Sequence, residues 1–298
     1  MTLRSIRSGL ATLAILVTVF LFAPNSFLQA QSGAPPSTPG TQAGAASQAQ
    51  QPTQKQTQTA GAPAAPAAPK ADPEEEAAYK AFSDTKPDDA DKRIQLGEAY
   101  VQKYPNGRYL DQVYQGLTTA EYSKQDFPKM YADADKTLAA NPDDVTVLVL
   151  VGWVIPHNYD PNDLAAENRL DKGEKYEKHA LEILATLPKP ANMTDEQFAK
   201  VKAQGEAQAH SGLGLIYFRR QDYEQSIAEL KKSTADPANQ DPTDFYVMGV
   251  ELTQLKRFSE SADAFAKCAA MPGGLQDRCK QMGADAKKQA AAAPAPSK

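Results

Sequence analysis

Two stretches of this chain repeat one another. His210–Pro237 reads HSGLGLIYFRRQDYEQSIAELKKSTADP, and Phe245–Pro272 reads FYVMGVELTQLKRFSESADAFAKCAAMP. They align without a gap at an offset of 35 residues, and the alignment pairs glycine with glycine, aromatic with aromatic and small residue with small residue at the main positions. Because the offset is constant, the similarity is a repeat in register and not a shared composition.

Each stretch has the pattern of two helices joined by a turn. The apolar first helix contains a glycine, Gly214 or Gly249, which lets a neighbouring helix approach closely. The second helix begins near an aromatic residue, carries small residues at its contacts and ends before a proline. Asp222 with Gln225 three residues later predicts a capping box for one second helix, and Ser259 is the predicted cap of the other.

This pattern resembles the tetratricopeptide repeat (TPR), a helix–turn–helix unit of about 34 residues with a characteristic set of small and aromatic positions. The chain departs from the family mainly by placing Ser or Cys where the family has Ala, at Ser226, Ser233, Ser261 and Cys268. These replacements keep the contact positions small. The resemblance implies an all-α helical-repeat solenoid, in which stacked units bury a continuous core.

Two further units match the pattern less closely. The first has Val151-Gly152 and Ile155 in its first helix, and its second helix is expected near 173–187, after an insertion around 157–172. The other, with Asp126 as its predicted cap, is marked by Tyr114, Leu117, Phe127, Ala134 and Pro142. The predicted fold class is therefore a TPR-like solenoid of about four divergent repeats.

Additional helices complete the predicted domain, which covers residues 73–286. Asp72-Pro73 starts a leading helix pair at 73–86 and 90–104. Thr194 with Gln197 begins a long helix that runs to Tyr217. A final helix at 275–288 is expected to close the array with a polar face, as terminal repeats require.

Both ends of the chain have the composition of non-globular segments. Two arginines precede an apolar stretch from Leu10 to Ala23, which predicts a secretory signal peptide over 1–30; an uncleaved inner-membrane anchor is the alternative. In the segment 31–72, 39 of 42 residues are Ala, Gln, Pro, Gly, Ser or Thr, and 287–298 are similar. Both segments are predicted to be disordered. The domain is thus expected to be exported, either periplasmic or secreted.

The charge of the predicted domain argues against two classes of partner. Residues 73–286 carry 25 Lys and Arg against 36 Asp and Glu, a net charge of −11. Such a surface lacks the positive charge that binds phosphate backbones or anionic lipid. Nucleic acid is therefore not expected as a partner, and a membrane is expected only if the N-terminal segment stays uncleaved.

The residues that carry catalytic or metal chemistry are few. None of the three histidines, His157, His179 and His210, stands at a metal-ligand spacing from a cysteine or another histidine. The sequence contains no glycine-rich phosphate loop and no nucleophile elbow. We therefore expect no catalytic residues, no metal and no small-molecule cofactor.

The only two cysteines, Cys268 and Cys279, flank the Pro272-Gly273-Gly274 turn. An even count in an exported chain favours a disulfide. Two antiparallel helices joined at this turn would bring both side chains to a similar height, within disulfide distance. The alternative is a pair of reduced, small packing residues.

The TPR resemblance implies that the first helices line a concave groove. Three repeat positions and the residues beside them then predict an apolar and aromatic surface consisting of Trp153, His157, Leu215, Phe218, Arg219, Tyr246 and Val250. TPR proteins that clamp a C-terminal carboxylate use Lys, Arg and Asn here, which this chain lacks. A hydrophobic or amphipathic segment is the predicted ligand. The alternative is that these side chains belong to the core.

These features together predict a non-catalytic adaptor or scaffold of the bacterial cell envelope, which binds a partner protein or peptide. A structural subunit or assembly factor of an envelope complex is the alternative, because Tyr100–Pro105 followed by Arg108-Tyr109 also resembles the helical repeats of bacterial envelope-assembly proteins. The sequence does not identify the partner, since a fold alone does not specify one.

Overall fold

A computed structural model describes residues 72–292. The predicted signal peptide, the predicted linker up to residue 71 and the last six residues lie outside this range. The described part folds into eleven α-helices with no β-strand among them. None of these helices combines the length and the apolar character needed to cross a bilayer.

The helices follow one another with short connections, and a single 3-10 turn at Pro237–Asn239 lies between α8 and α9. Their bounds are α1 Pro73–Ser83, α2 Ala90–Lys103, α3 Leu110–Ser123, α4 Phe127–Ala140, α5 Val145–His157, α6 Ala166–Thr186, α7 Asp195–Arg219, α8 Tyr223–Ser233, α9 Pro242–Gln254, α10 Phe258–Ala270 and α11 Gln276–Ala292.

The contacts between helices are those of a solenoid. Every helix packs on the next one in the chain, and the odd-numbered helices α3, α5, α7, α9 and α11 also touch in sequence. The prediction of an all-α, TPR-like helical-repeat array is therefore confirmed. The four predicted units correspond to α3 through α10, the leading pair is α1 with α2, and α11 closes the end.

The repeat glycines mark the closest approach within a helix pair. A Cβ atom on Gly214 would lie 2.5 Å from Leu230 Cδ2, and one on Gly249 would lie 2.6 Å from Phe265 Cε1. Leu230 and Phe265 are almost fully buried and occupy the same repeat position, so any other side chain would displace a packed core residue.

A single turn geometry recurs between the two helices of three pairs. Gln125, Gln221 and Lys256 all have positive φ, near +60°. In each turn the next residue donates its backbone N–H to a carbonyl five residues earlier, as in Asp222 to Tyr217 at 2.9 Å. This left-handed turn closes the first helix and makes the following residue the N-cap of the second.

Two of the predicted helix caps are wrong. The Asp222 carboxylate accepts no backbone N–H at the start of α8; it is instead contacted by the Gln225 side chain. Ser259 lies inside α10, whose N-cap is Arg257. The predicted caps at Asp126 and the Thr194–Gln197 capping box are confirmed.

Two predicted helix bounds are also wrong. Helix α6 begins at Ala166, inside the predicted insertion, because a buried face continues back from Gly173 through Leu170 to Ala166. Helix α11 continues to Ala292, six residues into the segment predicted as a disordered tail. That extension is rich in alanine, which has the highest intrinsic helix propensity.

The core contains acidic side chains as well as apolar ones. Glu121, Glu177, Asp244 and Glu251 are at most 2% exposed. Neither carboxyl oxygen of Glu177 or Glu251 has a hydrogen-bond partner among the described residues. Burial raises the pKa of Glu121 and Glu251 to about 8, that of Asp244 to about 7, and that of Glu177 well above its usual value. The carboxyls of Glu121 and Glu251 are therefore mainly neutral at neutral pH, whereas that of Asp244 is near the midpoint of its titration.

Candidate partner-binding surface

A cluster of half-buried aromatic side chains lies where α3 and α5 end. Apart from Trp153, the non-terminal residues of α5 are nearly all buried, so this tryptophan is the main side chain that the helix offers to solvent. The Tyr122 ring meets it edge-on with centroids 6.3 Å apart, and the His157 ring lies 3.8 Å away. Two predicted site residues, Trp153 and His157, are thus brought together.

The tautomer and the pKa of His157 are set by its surroundings. Its Nδ1 lies 2.7 Å from the Trp153 carbonyl oxygen, which can only accept, so Nδ1–H is the donor and Nε2 keeps its lone pair. Burial lowers the pKa of His157, and Arg219 acts in the same direction, while the Trp153 carbonyl and Asp241 raise it. His157 therefore presents a neutral ring with an acceptor nitrogen.

Arg219 extends the cluster from α7. Its Nε donates to the Pro156 carbonyl at 2.9 Å, which ties the ends of α7 and α5 together. The guanidinium carbon lies 5.4 Å from the Tyr159 ring centroid and 5.7 Å from that of Phe218. These are cation–π distances. Phe218 and Arg219, both predicted, are half-buried here, whereas Tyr159 comes from the loop after α5.

Helix α9 continues the surface on the far side of α7. Tyr246 and Val250 are half-buried, and the Tyr246 ring lies 6.1 Å from that of Phe265. The Arg278 guanidinium carbon of α11 lies 5.3 Å from the Tyr246 ring centroid. Leu215 differs from the other predicted residues, because it is only 4% exposed and packs in the core, where it offers no free surface.

Asp241, the N-cap of α9, is an acidic group that acts on the cluster electrostatically. Its carboxylate is near enough to raise the pKa of His157, and it adds to the effect of burial on Tyr122, whose pKa is raised to about 12. Helix α3 contacts α5, and α7 contacts both α5 and α9, so the four helices that carry these side chains are consecutive neighbours in the array. We call Tyr122, Trp153, His157, Tyr159, Phe218 and Tyr246 the aromatic surface.

The other histidines contact carboxylates elsewhere in the domain. His179 Nε2 is 2.7 Å from Asp143, and His210 Nδ1 is 2.6 Å from Glu229. In the described range, no three His, Cys, Asp or Glu side chains are grouped so that they could hold a metal ion.

Cys268 and Cys279 form a disulfide, with their Cα atoms 5.9 Å apart. Both are fully buried. The bond joins α10 to α11 across the Pro272-Gly273-Gly274 turn, and so holds the helix that carries Arg278.

Sequence reasoning missed Tyr122, Tyr159, Asp241 and Arg278. Tyr122 stands three residues before Gln125, as Phe218 stands three before Gln221, so an alignment on the left-handed turns would have placed Tyr122 beside Phe218. Thr118 replaces the repeat glycine in that alignment, which hid the correspondence. Arg278 lies on the closing helix, outside the repeat register.

Among solved structures, the chain is similar to a thermophilic TPR protein of Thermus thermophilus, with 16% sequence identity and a TM-score of 0.38, over 67% of this chain and 91% of that one. Neither a protein-family model nor a curated protein matches the chain. The described domain itself is a helical-repeat array, an architecture whose extended surfaces commonly bind other proteins.

Proposed function

We propose that this protein is a non-catalytic adaptor or scaffold of the bacterial cell envelope, and that it binds a hydrophobic or amphipathic segment of a partner protein on its aromatic surface. One observation supports this most directly: the aromatic surface is assembled from α3, α5, α7 and α9, yet its rings stay half-exposed.

The composition of this surface favours a protein segment as the ligand. Aromatic side chains supply large contact areas at low entropic cost and dominate binding energy at interfaces. His157 Nε2 adds one hydrogen-bond acceptor, and Arg219 adds donors. A segment with apolar side chains and a few polar groups matches this arrangement, either as a helix or as an extended strand.

The test uses the full-length chain as bait in an envelope extract, followed by chemical cross-linking. Trp153→Ala is expected to weaken recovery of the cross-linked partner about tenfold or more, as truncation of a central aromatic does. Tyr79→Ala, a half-buried aromatic on α1 that packs in a separate hydrophobic cluster, is the control and should retain the partner. Thermal unfolding of both variants checks that they fold.

Trp153 is the only tryptophan, so its fluorescence reports binding directly. The proposal predicts a change in its emission when the purified partner is added. Unchanged emission, together with full binding by Trp153→Ala, would rule the surface out. Recovery of a multi-subunit membrane complex instead of one stoichiometric partner would favour the alternative, a structural subunit or assembly factor.

A further inference from the structure

The arginines of this acidic domain fall into two groups. Seven lie between residues 72 and 292, and four of them pair with carboxylates: Arg108, Arg169, Arg220 and Arg257. Arg220 alone contacts three acidic side chains of α6. Most of the arginines are thus paired with a carboxylate, as expected in a domain where acidic groups are in excess.

Three arginines have no carboxylate within ion-pair distance in the described domain. Arg93 is explained by the fold, because it is 3% exposed, stacks on Phe82 and donates to the Thr85 carbonyl. The other two are Arg219 and Arg278, which are accessible to solvent and lie over aromatic rings. The accessible unpaired arginines are therefore both at the aromatic surface.

Their geometry leaves hydrogen-bond donors free. A cation–π contact uses none of the guanidinium N–H groups as hydrogen-bond donors to oxygen, so these groups can still bind the two oxygens of a carboxylate. Arg219 uses only Nε within the fold, and Arg278 makes no hydrogen bond to the described residues. Each ring orients the cation without neutralising it.

None of the described Asp and Glu side chains pairs with Arg219 or Arg278, so a partner molecule can supply the carboxylates. The segments outside the described range, 1–71 and 293–298, contain no Asp or Glu side chain. The rest of the domain is strongly acidic, so it repels a partner with the same sign of charge except where positive charge is concentrated. Arg219 and Arg278 provide this positive charge at the aromatic surface, against the carboxylate of Asp241 that acts on the same cluster.

We propose that the partner segment is acidic as well as apolar. Its apolar side chains cover the rings of Phe218 and Tyr246, and its Asp or Glu side chains pair with Arg219 and Arg278. This inference rests on the proposed function, and it specifies the chemistry of the partner.

The positions of the two arginines predict a spacing. Arg219 is on α7 and Arg278 on α11, with α9 between them, so the two sites are separated by two helix-to-helix steps of roughly 10 Å each. An extended chain covers about 3.3 Å per residue, so two acidic positions about six or more residues apart are needed to reach both.

The test selects peptides from a random phage-displayed library on the full-length chain and then measures the affinity of one synthetic selected peptide. We expect enrichment of Asp and Glu together with apolar residues. Arg278→Gln should weaken binding of that peptide about fivefold, with weaker binding at high salt, while Arg278→Lys should keep part of the affinity. Lys231→Gln, which removes one exposed positive charge from α8, is the matched control.

The outcomes separate this inference from the proposed function. Peptides that lose affinity with Trp153→Ala but lack acidic residues and ignore Arg278→Gln would overturn the acidic partner and leave the aromatic surface intact. Peptides unaffected by every variant of the surface, or no enrichment at all, would overturn both. An equal loss of peptide affinity for Arg278→Gln and Lys231→Gln would show that only the net charge of the domain matters. It would also overturn the proposed pairing of Arg278 with an acidic side chain of the peptide.

Discussion

At the scale of single residues, the repeat glycines show how much the sequence could predict. The repeat pattern predicts close helix approach at Gly214 and Gly249, and Leu230 and Phe265 lie within 2.6 Å of where the Cβ atoms of these glycines would be. Leu215, one residue after a repeat glycine, was predicted at the groove but is buried. Exposure at that position depends on how neighbouring helices cross, which a single helix does not encode.

Replacing Gly249 by alanine tests this contact. The added methyl group would overlap the buried Phe265 ring, so we expect a loss of about 1–2 kcal/mol in the free energy of unfolding, after allowing for the better helix propensity of alanine. Gly274→Ala is the control, because nothing lies within 4 Å of its added Cβ. Urea unfolding measures both; equal stability of the two variants would show that the ring moves at no cost.

At the scale of helices, the caps and turns were the least predictable features. The left-handed residues in the three turns are glutamine, glutamine and lysine, where glycine is the usual signal. The 35-residue register nevertheless relates Asp222 to Arg257, and both are N-caps. An N-cap residue whose side chain makes no hydrogen bond has no characteristic residue type. Residue preference therefore favours Ser259 as the N-cap of α10, although the N-cap is Arg257.

The closing helix α11 depends on its link to α10. The disulfide closes a loop with a sequence separation of 11, which in the chain-entropy model stabilises the native state by about 2–3 kcal/mol. Replacing Cys268 and Cys279 together by alanine should therefore lower the free energy of unfolding by about 2–3 kcal/mol. Amide exchange in α11 should become faster than in α3. The single variant Cys279→Ala should cost nearly as much as the double variant, since both break the same bond; a double variant as stable as the parent would contradict the role of the link.

At the scale of the whole molecule, the buried acids make stability depend on pH. The native pKa values of Glu121 and Glu251 are about 8 and that of Asp244 is about 7, all above the values of an unfolded chain. Between the unfolded and the native pKa values, the native state therefore keeps protons that the unfolded state has released. The free energy of unfolding is greatest below the unfolded pKa, and it falls as the pH rises through the native pKa values. His157 acts in the opposite direction, but it is one group and acts only below its ordinary pKa.

We expect the free energy of unfolding to fall by at least about 1 kcal/mol as the pH rises from about 5 to about 8. Glu251→Gln, a neutral replacement of similar shape, should reduce this slope. Glu98→Gln, an exposed acid paired with Lys129, is the control and should leave the slope unchanged. Urea unfolding at several pH values measures the free energy of unfolding and its dependence on pH. A free energy of unfolding that rises from about pH 5 to about pH 8 would show that the buried carboxyls ionise without cost.

The Cys268–Cys279 bond also makes the two ends of the array unequal. In a linear array each helix pair is stabilised mainly by its neighbours, so fraying starts at an end. The C-terminal end is fastened covalently, whereas the first pair is held by noncovalent contacts such as the 2.6 Å hydrogen bond from Tyr100 to Glu75. We therefore expect opening to start at α1 and to proceed towards α11, so that of the helices carrying the aromatic surface α3 separates first and α9 last.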